Sequence, residues 1–113
     1  WAHLRKSADY FGSAKTKIGP DKDIRVRDAF DALFDASRMA AMAYLSIQNT
    51  RWGKYQKLLP SPYREEFIEI VNVLHIKYFY HGDYPKDAVE EEFKIWSKKV
   101  DDFVRKLEKE AKK

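Results

Sequence analysis

From Val89 onward the apolar residues Val89, Phe93, Trp96, Val100, Phe103 and Leu107 recur at alternating steps of four and three. That spacing gathers them on one stripe of an α-helix and does not match the period of two that a half-buried strand needs. The rhythm recurs in three earlier stretches. Phe67, Val71, Leu74 and Tyr78 carry it, as do Val26, Phe30, Leu33, Ser37, Ala40, Tyr44 and Ile47. Trp1, Leu4, Ala8, Phe11 and Ile18 form a shorter stripe at helical spacing. Four one-sided helices on short links bury their stripes by packing antiparallel, so the expected fold is all-α, an up-and-down four-helix bundle spanning residues 1–113 as a single domain.

The breaks between stripes carry helix signals. Gly19 and Pro20 read as the stop of the first helix, with Gly19 at the position after its end. Asp21 or Asp23 then caps the second. Ser61 with Pro62 behind it and Glu65 and Glu66 in the first turn reads as an N-cap and start of the third. The last helix is expected to begin near Pro85 to Asp87, with Glu90, Glu91 and Glu92 at its positive end and the basic tail RKLEKEAKK at its negative end. The second helix has more apolar surface than one seam uses, since Ala29, Phe34, Ala36, Met39, Met42 and Ala43 widen it. A central place in the core explains this, and so does a helix that also feeds a dimer interface.

With 44% hydrophobic and 15% aromatic residues the chain can build a core despite 35% charged residues. It has no cysteine, which excludes disulfides and thiolate metal sites and suggests a reducing, cytoplasmic setting. No apolar run approaches the roughly 20 residues that span a bilayer, and none resembles a signal-peptide core, so a soluble protein with no membrane partner is expected. Abundant Lys, Arg and Glu are what proteins from hot environments show. The net charge of +4 is concentrated in residues 1–64. It permits a polyanionic partner without requiring one.

Most catalytic patterns are missing. There is no Gly-rich phosphate loop, HExxH pair, GxSxG elbow or calcium loop. Three histidines, His3, His75 and His81, are too few and scattered for a metal site, and no cofactor motif appears. Two stretches remain. In residues 49–62 Arg51, Lys54 and Lys57 alternate with Trp52 and Tyr55, as stacking on unpaired bases requires, although the same segment can serve as a lid over the bundle end. In HIKYFYHGDYP, residues 75–85, Gly82 and Pro85 stop the third helix, so His81 falls in its last turn, beside exposed carbonyls. Lys77 and His81, four apart, share a face, whereas His75 and His81 diverge.

The stretches SADYFGSAK, RDAFDALFDASRMAAMAYL and IKYFYHGDYPKDAVEEEFKIWSKKVDDFVRKLE together resemble the HEPN (higher eukaryotes and prokaryotes nucleotide-binding) superfamily, especially its small prokaryotic members. The resemblance implies a dimeric four-helix bundle. Its function would be that of a metal-independent endoribonuclease or of a non-catalytic partner of a nucleotidyltransferase, as in toxin–antitoxin pairs. Active members place an arginine upstream of a histidine near the end of the third helix, with four to six residues between the two. With His81 as that histidine the arginine would fall at Leu74, His75 or Ile76, and none is arginine. The implied site is therefore His81 as general acid/base with Lys77 and His75 as cationic stabilisers. Tyr78, Tyr84, Arg51, Lys54, Trp52 and Tyr55 would contact RNA.

Overall fold

The computed structural model describes residues 2–45 and 59–111; Trp1, Ile47 and the aromatic-basic positions Arg51, Trp52, Lys54 and Tyr55 lie outside them. The described residues form four helices and no strand. Helix α1 is Ala2–Ala14 and α2 is Gly19–Leu45. Helix α3 starts as an α-helix over Tyr63–Ile70 and continues without a break as a π-helix over Val71–Tyr80. A short 3₁₀ turn, Lys86–Ala88, leads into α4, Val89–Ala111.

Neighbours in this bundle run antiparallel. Lys15 near the end of α1 reaches Glu90 at the start of α4, 3.3 Å away. Arg27 early in α2 bonds the end of α3 at Phe79 and Tyr80, while Asp31, one turn on, meets His75. Along α3 and α4, Lys106 meets Glu66 at 3.0 Å, Lys99 meets Glu69 at 3.5 Å, and Tyr78 meets Glu92. Most of these ionic pairs are well exposed, so they mark register and add little stability.

The expected seams form the core. Phe67, Val71, Leu74 and Tyr78 of α3 are buried, as are Phe93, Trp96, Val100, Phe103 and Leu107 of α4. In α2 Val26, Phe30, Leu33 and Ser37 are joined inside by Ala29, Phe34, Ala36 and Ala41, the width expected of a central helix. Aromatic rings cross the bundle as one cluster. Phe11 of α1 lies parallel to Phe93 of α4 at 4.3 Å, and Phe93 meets Phe30 of α2 edge-on at 5.8 Å. Phe30 in turn touches Tyr78 of α3 at 4.8 Å and Tyr84 of the following loop at 5.9 Å. All four helices are thus tied at one level by rings in offset and edge contacts.

Three boundaries differ from the sequence expectation. Helix α1 ends at Ala14, before Ile18, which is 86% exposed, because residues 15–17 turn away. There the Thr16 hydroxyl and amide both donate to the Ser13 carbonyl, and Lys17 N–H donates to Ala14. These i→i+3 bonds close the helix early, a local competition that a Thr side chain favours. The inner stripe of α1 is accordingly Leu4, Ser7, Phe11 and Ala14, with Ala8 outside. Gly19, at φ +60°, opens α2 instead of closing α1, with Pro20 next, where a helix start has no use for an amide proton. Ser61 does not cap α3. Its hydroxyl donates to the Glu65 carboxylate at 2.7 Å, and Pro62 stands at the cap position.

Phe67, wholly buried against Phe34 and Phe103, is expected to cost about 3–5 kcal/mol when replaced by alanine. Ile95→Ala, at a half-exposed position of α4, should stay within about 0.5 kcal/mol of the parent protein. Urea unfolding of the two variants checks the assigned faces.

Candidate functional site

The end of α3 is held in a way that a lone helix could not achieve. A π-helix bonds each amide to the carbonyl five residues back, so its last turn leaves more carbonyls open than an α-helix does. Here the His81 amide donates to Ile76 at 3.0 Å and the Asp83 amide to Lys77 at 2.8 Å. Arg27, from α2, closes two more. Its Nε donates to the Phe79 carbonyl at 2.7 Å and a terminal nitrogen to Tyr80 at 2.8 Å, while the other lies 3.3 Å from the Asp23 carboxylate. Asp23 also accepts from the Tyr84 hydroxyl at 2.6 Å, and Lys86 donates to the Gly82 carbonyl and covers the Tyr84 ring at 3.7 Å. Gly82, at φ +67°, lets the chain reverse over this cluster, and any Cβ there would sit 3.3 Å from the Arg27 guanidinium carbon. HIKYFYHGDYP is therefore the clamped end of a π-helix.

The site residues anticipated from the sequence separate into engaged and open groups. His75 is engaged: its Nδ1 lies 2.9 Å from Asp31 Oδ1 on α2, and its ring stacks on Phe34 at 4.5 Å and on Phe79 at 6.0 Å. Burial pushes the Asp31 carboxyl above its ordinary value, Asp35 and Asp28 add to the rise, and the His75 hydrogen bond opposes it. The Tyr78 hydroxyl donates to Glu92, which also accepts from Trp96 Nε1 at 3.0 Å. Tyr84 is spent on Asp23. Burial first, and these carboxylates second, raise both phenols above the ordinary tyrosine range, so both remain protonated donors at neutral pH.

Lys77 and His81 are exposed and have no side-chain hydrogen bond or ion pair to a described residue. The His81 ring meets Tyr80 edge-on at 5.7 Å, and Tyr80 is itself 71% exposed. Beside them an open groove of about 320 Å³ is lined by Ile24, Arg27, Asp28, Phe79 and Tyr80. No group of three or more His, Cys, Asp or Glu side chains able to hold a metal occurs among the described residues. No helix there is long and apolar enough to cross a membrane.

Sequence reasoning passed over Arg27, Asp31 and Tyr80. The four-residue step from Asp23 to Arg27 signals a local pair on α2, but nothing in the sequence points to carbonyls at the far end of another helix. Compared with protein-family models, with curated proteins and with solved structures, the chain finds no match in any of the three.

Two outcomes follow from this geometry. Arg27→Ala should cost about 2 kcal/mol, since hydrogen bonds from a charged donor are worth roughly 1.5–3 kcal/mol and water can reach part of this side chain. Faster hydrogen exchange at the His81 and Asp83 amides would accompany the loss. For Asp31, the folded-state pKa lies above the ordinary 3.8, so its contribution to stability is fully present below that value and is lost as pH rises through the folded one. Asp31→Asn, which keeps an acceptor for His75, should therefore gain on the parent protein between about pH 4 and pH 7 in urea midpoints. Ground lost by the variant over that range would mean that attraction to His75 outweighs burial.

Proposed function

We propose that this chain is a HEPN-like bundle that acts on RNA as a non-catalytic binding module. The observation that carries the reading is the division of the candidate groups. Cleavage by attack of the RNA 2′-hydroxyl needs a proton-transfer group and a cation placed to stabilise the charged transition state. His81 has the chemistry for the first role. The guanidinium beside the following Gly82, that of Arg27, is committed to two backbone carbonyls, and His75 is held by Asp31. Lys77 offers charge without the planar two-pronged geometry that suits a phosphate. What this leaves is an exposed edge with a lysine, a histidine and an aromatic ring, which fits binding better than bond cleavage.

A second reading, metal-independent ribonuclease activity, draws support from the exposure of Lys77 and His81. In the binding form, chemistry would come from a partner such as a nucleotidyltransferase, and the chain would work as a homodimer. Exposed Met39 and Ala43 on α2 provide candidate contact surface.

The expected outcome is that single-stranded RNA incubated with the protein in EDTA stays intact and is retarded on a native gel. Lys77→Ala should weaken retardation. RNA cleavage that His81→Ala abolishes, with the thermal midpoint unmoved, would overturn the non-catalytic reading in favour of the nuclease.

A further inference from the structure

Tyr80 differs from the other tyrosines of α3 and the loop that follows. Tyr78 and Tyr84 are buried and donate to carboxylates, whereas Tyr80 is 71% exposed and, among the described residues, its aromatic neighbour is the His81 imidazole. Its backbone is nevertheless fixed, because its carbonyl accepts from Arg27 at 2.8 Å. A rigid backbone under an exposed ring is a low-entropy platform: little freedom remains to be lost when something stacks on it. The residue lines the groove of about 320 Å³ together with Ile24, an isoleucine 54% exposed. That volume lies at the lower end for ligand pockets and suits one planar group, not a protein side-chain cluster.

Charge separates the candidate occupants. Arg27 lines the groove with its charge met by Asp23 at 3.3 Å, and the ammonium of Lys77 is exposed three residues before Tyr80 on the same helix. The one carboxylate on the groove wall, Asp28, lies 3.7 Å from Arg25 and is partly neutralised by it. An aromatic ring and an apolar side chain with an exposed lysine on the same helix match a nucleobase joined to a phosphate, because every base offers a stacking face and every linkage a negative charge. A hydrophobic protein anchor would gain nothing from the cations, and two exposed apolar side chains make a small patch for it.

We infer that Tyr80 is a stacking platform for an unpaired base of single-stranded RNA, with the base lying against the Tyr80–Ile24 groove and the adjoining phosphates near Lys77 and His81. The inference rests on the RNA reading above and names the part of the nucleic acid that the site takes.

Fluorescence anisotropy with a short labelled oligoadenylate tests it, alongside an abasic strand of equal length. Tyr80→Ala should weaken oligoadenylate binding about five-fold or more, the range that loss of one stacked base produces, while Tyr80→Phe stays near the parent protein. The salt slope should be unchanged in Tyr80→Ala, because no phosphate contact is lost, and binding of the abasic strand should be indifferent to the substitution. Exposure of the ring makes a folding defect unexpected, and an unchanged thermal midpoint checks that. If the parent protein binds oligoadenylate and Tyr80→Ala binds it equally well, the stacking platform is overturned while the RNA reading stands. If the parent protein binds no single-stranded RNA, both are overturned and a protein partner becomes the better occupant of the groove.

Discussion

Arg27 holds together the part of this bundle where chemistry is most concentrated. A π-helix that ends in the open exposes carbonyls that its own backbone cannot pair, and each would otherwise depend on water. By donating to Phe79 and Tyr80, the guanidinium pins the end of α3 to α2. The reversal at Gly82, the position of Tyr84 and the approach of Lys86 all depend on that closure. Asp23 completes the arrangement by balancing the guanidinium while accepting from Tyr84. One cation on one helix therefore sets the conformation of a segment more than fifty residues away in sequence.

The clamp also explains why polar side chains clustered in sequence turn to different partners. Within residues 75–85, His75 is drawn inward to Asp31, Tyr78 to Glu92 and Tyr84 to Asp23, and each partner lies on another helix. Burial makes these ties consequential, because a half-buried hydroxyl or imidazole without a partner costs more than it would in water. Left exposed along this edge are Lys77, Tyr80, His81 and Asp83. On the proposed reading this edge serves recognition, where a ring and positive charge suffice. Catalysis demands several groups held within hydrogen-bond distance of a reacting atom.

The aromatic cluster around Phe30 gives that edge its stability. Because Phe11, Phe93, Phe30 and Tyr78 come from four different helices and meet at one level, no helix can shift without disturbing the others. The level lies close to the clamp, since Phe30 also touches Tyr84. Packing and the Arg27 bonds thus act on the same end of the molecule. Farther along, α2, α3 and α4 are held by a second set of rings, Phe34, Phe67 and Phe103, with aliphatic seams and exposed ion pairs.

Periodicity alone was enough to read four helices, the buried faces of the last three and their antiparallel order, because a stripe repeating every three or four residues has few ways to leave water. The stripe expected for α1 fails at Ala8 and Ile18. The stop at Gly82 was legible because glycine takes a positive φ, here +67°, at little cost and Pro85 follows soon after. Other features depended on the fold. Nothing local marks Val71–Tyr80 as π instead of α, and the seam Val71, Leu74 and Tyr78 reads the same either way. Ser61 looked like a cap until Glu65 competed for its hydroxyl, and Gly19 served the following helix because Thr16 had already ended the one before. Which of the clustered polar groups would remain open was settled by partners distant in sequence. Hydrogen bonds across helices form only after packing brings the helices together, and sequence spacing carries no record of them.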